Sequence, residues 1–358
     1  MMGDQVRISG DALQLPGGVT VRFMRTLRLP ETGTHPLPPG LGTFPLRRVS
    51  DHPGTAPREW LARGGVMLPV YQREAMWLSF SAAAPAALQV GVGKVCAVSG
   101  RPWSDRLSQD PQNYVVLPRQ PWLDGINSGS GTIRQFVAVP LGLGATVEGQ
   151  VSGEEVWGGV QLQVTELGEE QLAAWRAEQR RRESTRRAAF GGYGGAPGAM
   201  PMAAPAAAPA AAPPPAPGSA PRPGGGGGGA KRSPVSMGLG AGGRMRQEVY
   251  RDDRKPSDWR AEPSGRVFVH LTTVPEWRRI TGEPAPPSPV NRAAYTAAGL
   301  PWFDYYDADA EDLAAPGTLT QVKPVGDWLG EDESPWVAPH PGQLKQLGDE
   351  GQVTDGDW

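Results

Sequence analysis

The densest run of reactive side chains lies late in the chain, in Asp304-Tyr-Tyr-Asp-Ala-Asp-Ala-Glu-Asp312. Hard cations take carboxylate oxygens, and counted from Asp307 this run offers acids at the first, third and fifth places of a calcium loop. That loop also requires Gly at its sixth place and Glu at its twelfth, where this chain has Asp312 and Thr318. Asp304, Asp307 and Asp309 therefore stand as candidate ligands for a divalent cation outside the motif. Carboxylates beside a helix start serve equally as caps and dipole partners. No other cofactor is expected. The histidines are His35, His52, His270 and His340, with no pair at helical or zinc-like spacing. His270 sits within an expected strand, the setting of a structural histidine, and is also the candidate catalytic base. No Gly-x-Ser-x-Gly elbow is present.

Other motifs reduce to structural readings. Gly91-Val-Gly-Lys94 has one residue between its glycines where a phosphate loop needs four, and Val95 where it needs a hydroxyl, so it reads as a glycine-softened strand. Cys96 is the single cysteine, which excludes a disulfide within the chain and a Cys-rich zinc site. Flanked by Val95 and Ala97, it reads as an inert core thiol. Trp103, Trp122, Trp302, Tyr305 and Tyr306 stand in Pro/Gly-rich loops and are the candidate ligand-binding contacts, since Trp and Tyr carry much of the energy of recognition surfaces. Arg180, Arg181 and Arg182, with Arg186-Arg187 and Lys231-Arg232, offer phosphate contacts of the kind that bind RNA.

The elements that must position these residues are mostly strands. Val19, Val21, Phe23, Leu27 and Leu29 share one face of Val19–Leu29, and Arg22, Met24, Thr26 and Arg28 take the other. Arg25 is the exception to the alternation. Leu15-Pro-Gly-Gly18 makes a turn, so Gln5 to Leu13 is expected as the partner of a hairpin. Further strands are expected at 66–71, 75–81, 88–98, 114–117, 132–139, 160–165 and 266–273, with turns at Asp124-Gly125 and Asn127-Ser-Gly129 between them. A helix is expected over 168–187, acidic at its start and Arg-rich at its end, with Glu178 and Arg182 spaced i,i+4. A second, shorter helix is expected from Ser288-Pro289 to Ala298, and another turn at 311–315.

Residues 188–230 are almost wholly Ala, Gly and Pro and cannot bury apolar area to offset their ordering entropy. The expected fold is thus mainly β: an antiparallel β-sandwich or barrel-like domain over 4–167, a basic helix over 168–187, a disordered linker over 188–235, and a small, Trp-rich, irregular α+β segment over 236–358 docked on the first domain. That last segment has too little regular structure to fold alone, so the two parts are expected to share a core.

Of 358 residues, 39% are hydrophobic, and 12 Trp, 7 Tyr and 7 Phe suffice for a large core. A net charge of −2 raises no global field for nucleic acid or an acidic membrane. Locally, residues 176–260 are basic and 303–358 acidic, two blocks that can attract each other. No run approaches 18 apolar residues and no signal-peptide pattern opens the chain, so a cytoplasmic protein without a transmembrane helix is expected.

Six stretches share a further likeness: 68–77 (LPVYQREAMW), 113–125 (NYVVLPRQPWLDG), 133–142 (IRQFVAVPLG), 237–247 (MGLGAGGRMRQ), 299–307 (GLPWFDYYD) and the final Asp355-Gly-Asp-Trp358. Together they resemble a bacterial and fungal family whose members carry the label "integral membrane protein". The resemblance spans both folded parts and brings neither an activity nor catalytic residues. The function expected is a non-catalytic binding or scaffold protein, its partner a protein or a small ligand. The alternatives are a metal-assisted hydrolase acting on a sugar or phosphoester with Asp304, Asp307, Asp309 and His270 at the junction of the two parts, and an RNA-associated protein acting through the Arg-rich helix.

Overall fold

A computed structural model describes residues 6–29, 33–38, 40–191, 236–287, 317–323, 325, 351–352 and 356. The expected helix at 288–298 and the turn at 311–315 lie outside them. The described chain is mainly β, built on one large antiparallel sheet with few helices. In order the elements are β1 (Arg7–Ser9), β2 (Ala12–Leu15), β3 (Val19–Thr26), β4 (Thr34–His35), β5 (Arg47–Arg48), α1 (Arg58–Arg63), β6 (Val66–Val70), β7 (Ala75–Ser81), β8 (Ala86–Val92), β9 (Val95–Cys96) and β10 (Val115–Leu117). Then follow β11 (Trp122–Leu123), β12 (Gly125–Gly129), β13 (Thr132–Pro140), α2 (Val147–Ser152), β14 (Val160–Glu166) and α3 (Glu169–Gly191). The rest are β15 (Ser236–Arg246), β16 (Gly265–Thr273), α4 (Val274–Thr281), α5 (Gly317–Thr320) and β17 (Gly351–Gln352).

A continuous path through the sheet runs β17-β1-β2-β3-β7-β13-β15-β16-β14-β8-β10, every pairing antiparallel. Two strands add in parallel, β4 on β15 and β6 on β16. The alternation that marks β3 also marks β14, β8 and β16, whose Val and Leu faces enter one continuous core with Phe23, Phe44 and Phe136. Burying each such side chain contributes ~1.5–3 kcal/mol.

The segment beyond residue 235 supplies central strands. Met237, Leu239 and Ala241 of β15, and Val267, Val269 and Leu271 of β16, lie in the same core as the N-terminal strands. The two parts share a core, as expected. β15 itself is hidden in the sequence because Gly238, Gly240 and Gly242 occupy its other face. A Cβ at Gly240 would lie 2.7 Å from the Ala145 carbonyl oxygen, and one at Gly238 2.6 Å from Thr146 Cγ2. These glycines let the turn before α2 cross directly over the strand.

Other departures are local. The stretch 88–98 is a hairpin: Gly93 and Lys94, with φ of 57° and 59°, turn β8 back into β9. Gly125 and Asn127, which read as turn residues, belong to β12 on β13. A Cβ at Gly125 would lie 1.7 Å from the Arg134 carbonyl oxygen, so the residue permits close pairing. Arg25 breaks the alternation of β3 because it is buried and donates through Nε to Glu74 Oε1 at 2.8 Å.

Residues up to Leu172 and those beyond the 192–235 segment form one compact unit, while most of α3, from Ala173, belongs to another. In α3, Arg182 pairs with Glu178 as its spacing predicts. Among the described residues, no helix is long and apolar enough to cross a membrane.

Candidate functional site

The polar face of β8 and β14 carries three glutamines. Gln89, Gln161 and Gln163 alternate with core valines and leucines, yet all three are buried. Each bonds to a covering loop. Gln89 Nε2 donates to the Ser104 carbonyl at 2.8 Å and Gln163 Nε2 to the Asp105 carbonyl at 2.9 Å. Gln161 accepts from the Lys94 backbone N–H at 2.7 Å and donates to the Gly158 carbonyl at 3.0 Å. A buried amide left unpaired costs about 1–3 kcal/mol, so these bonds fix where the loops 103–106 and 156–158 lie.

Trp103 rests in the first loop. Its backbone N–H donates to the Lys94 carbonyl at 2.8 Å, and its ring occupies the space above Gly91, where a Cβ would approach to 2.6 Å. Its Nε1 donates to Asp105 Oδ1 at 3.0 Å.

The second loop is held by carboxylates. Thr146 caps α2, and Glu148 in its first turn is buried, accepting from the backbone N–H of Val156, Trp157 and Gly158 at 2.9, 2.8 and 2.8 Å. Glu155 reaches the other way, to the Gly142, Gly144 and Thr146 N–H groups and the Thr146 hydroxyl. Burial raises the Glu155 pKa, but the Thr146 hydroxyl and the three backbone donors outweigh it and hold the carboxyl below its ordinary value. The result is a rigid platform presenting exposed Val156 and half-buried Trp157.

Cations close on that platform. Arg63, ending α1, places Cζ 4.7 Å from the Trp157 ring centroid and 5.6 Å from that of Phe268. Lys94 Nζ lies 4.5 Å from the same Trp157 ring. Arg266, on β16, approaches Asp105 at 4.0 Å and donates to the Gly356 carbonyl at 3.4 Å. Burial lowers the Lys94 pKa, and Arg266 and Arg63 lower it further against the opposite pull of Asp105.

Beneath Arg63, His270 stacks on Trp60 at 4.6 Å and lies 4.5 Å from Phe268, with Nε2 3.0 Å from the Gly64 carbonyl. That acceptor requires the proton on Nε2. Burial pushes the His270 pKa down to about 3, so the ring is neutral and supports α1 from below. Trp60 and Trp277 belong to a second, smaller core that seats α1 and α4.

The structure thus brings Trp103 and, underneath, His270 to one region. Trp122 lies elsewhere, on β11, donating from Nε1 to the buried Asp124 at 3.0 Å. Trp302, Tyr305, Tyr306, Asp304, Asp307 and Asp309 lie outside the described residues. Arg180, Arg181 and Arg182 are exposed on α3, within the second unit. Among the described residues, no three His, Cys, Asp or Glu side chains converge as a metal site. Sequence reasoning missed Trp157, Arg63 and Arg266, and set Lys94 aside with the phosphate-loop motif. Nothing in their spacing links them; strand register and the Glu148 loop do. Comparisons with protein-family models, curated proteins and solved structures find no match to this chain.

Proposed function

We propose that this protein is a non-catalytic binding protein whose recognition surface comprises Trp157, Trp103, Lys94, Arg63 and Arg266, and whose partner is an acidic protein segment. The observation that carries this reading is the Trp157 ring flanked by Lys94 at 4.5 Å and Arg63 at 4.7 Å on a loop locked by Glu148. A rigid aromatic with adjacent guanidinium and ammonium groups is the composition of an interface hot spot, and it needs little ordering on binding. The positive groups select an acidic partner and speed its approach. Asp105, within the cluster, favours a peptide that can donate as well as accept over a continuous phosphate backbone.

The test is fluorescence-polarisation titration of the whole protein with an Asp/Glu-rich peptide containing one aromatic residue, against a single-stranded RNA of equal charge. Peptide binding at micromolar concentration, reduced at least about tenfold in Trp157→Ala and in Lys94→Ala with unchanged melting temperature, is the expected result. Equal binding by parent and variants, or preference for the RNA, refutes the reading.

A further inference from the structure

We infer that Leu143 and Val156 form an apolar anchor beside the Trp157 cluster, and that it seats an apolar side chain of the acidic protein segment. The inference rests on the function proposed above and makes its partner amphipathic. Among the described residues, Leu143 and Val156 are the large hydrophobic side chains left exposed, at 51% and 54%. One carboxylate holds both. Glu155 accepts through Oε2 from the N–H groups of Gly142 and, at 2.9 Å, Gly144, the two neighbours of Leu143. Val156 is the next residue after Glu155. The Oε1 atom accepts from the Thr146 N–H at 3.1 Å and the Thr146 hydroxyl at 2.5 Å, tying the mount to the start of α2. Positive φ at Gly142 (89°) and Gly144 (72°) turns the chain on either side of Leu143. A single exposed aliphatic residue is ordinary, whereas two on one mount beside a cationic aromatic cluster make a patch.

Val156 joins this pair to the cations. Arg63 donates through Nη2 to the Val156 carbonyl at 3.5 Å and through Nη1 to the Trp157 carbonyl at 3.4 Å. Glu148 fixes the same peptide from inside by accepting from the Val156 and Trp157 N–H groups. Consecutive residues of one loop thus carry an aliphatic side chain and a ring faced by Arg63 and Lys94. A partner that meets both presents a carboxylate and an apolar side chain within a few residues of each other. A bare polyanion would leave Leu143 and Val156 in water, and a purely apolar segment would gain nothing from Arg63 and Lys94. Covering the anchor releases the water over it. Both loops are held before binding, so little ordering entropy is lost in doing so.

The test titrates the whole protein with two fluorescent peptides of equal charge. One is Asp/Glu-rich with a single aromatic residue and two leucines; the other has serines in place of the leucines. The parent is expected to bind the leucine peptide about tenfold more tightly. Leu143→Ser/Val156→Ser should keep the parent's melting temperature and lose that preference, and each single variant should lose part of it. A parent without the preference, or a double variant that retains it, overturns the anchor; weaker binding by Lys94→Ala would then still uphold the cationic reading. Loss of the preference in the double variant, with binding untouched by Lys94→Ala, supports the anchor and sinks the cationic reading. Adsorption to phosphatidylcholine/phosphatidylserine vesicles but to neither peptide, lost in the double variant, overturns the peptide partner in favour of a lipid surface.

Discussion

Gln112 holds the backbone at Asp252 as a neighbouring strand would. Its Oε1 accepts from the Asp252 N–H at 2.7 Å, while its Nε2 donates to the Tyr250 carbonyl at 3.0 Å. Gln120 repeats the device one step along, accepting from Tyr250 N–H and donating to the Glu248 carbonyl. Asp252 answers by accepting from the Tyr114 hydroxyl at 2.6 Å and the Trp259 indole at 2.8 Å. Glutamine side chains thus continue the sheet's hydrogen bonding where no regular ladder runs, and they do so between chain segments on opposite sides of residues 192–235.

Cutting the chain within 192–235 should therefore leave the two pieces together. With a protease site inserted near residue 215, the cleaved fragments are expected to co-elute on gel filtration and to separate only in denaturant. The pairing of β13 with β15 and of β14 with β16 must be broken before they part. Separation in native buffer would contradict the shared sheet.

Removing one partner of the Arg25–Glu74 pair should be severe. Glu74→Gln leaves a buried guanidinium without its counter-charge and is expected to cost ~3–5 kcal/mol in urea unfolding. The double variant Arg25→Met/Glu74→Leu buries no charge and should recover much of that loss. A double variant no more stable than Glu74→Gln would show that shape at this site matters more than charge.

Asp124 gives a stability slope of one sign. Its carboxyl is buried, and burial raises its pKa well above the ordinary 3.8 despite the Trp122 indole bond. Above that ordinary value the unfolded chain releases a proton that the folded chain retains, so stability falls as pH rises until the folded pKa is passed. Asp124→Asn removes the effect. Its advantage over the parent in urea midpoint should grow upward from about pH 4 and then level off. Parallel curves across pH 4–8 would be inconsistent with a carboxyl held neutral.

His270 gives the opposite slope. The folded ring titrates near 3 and the free ring near 6.5, because burial disfavours its charged form. Between those values the unfolded chain takes up a proton that the folded chain excludes. Stability is accordingly lost as pH falls through that window, by up to about 1.4 kcal/mol per pH unit. His270→Gln keeps a donor for the Gly64 carbonyl, loses the stack on Trp60, and should lose this slope. A slope unchanged in the variant would place the responsible group elsewhere.

Much of the sheet was legible because period-2 alternation reports a strand with one apolar face, and β3, β6, β7, β13, β14 and β16 fall where that pattern lies. β15 was not legible, since four of its eleven residues are glycine and glycine reads as a turn. The 88–98 hairpin was missed for the converse reason: apolar residues on both sides of Gly93-Lys94 mask a two-residue turn. The site was barely legible at all. Of its residues only Trp103 was singled out as a contact, on composition, because Arg63, Lys94, Trp157 and Arg266 are far apart in the chain.

By itself the sequence determined the mainly β class, the basic helix, the shared core across the Ala/Pro/Gly segment and the exceptional status of Arg25. Each follows from local periodicity or composition, which act over a few neighbouring residues. Tertiary structure alone decided that the polar faces of β8 and β14 are buried under loops, that Glu148 aims Trp157, and that cations from α1 and the β8–β9 turn meet around it. Those outcomes depend on register between strands distant in the chain, where one residue of slip would turn every side chain to the opposite face.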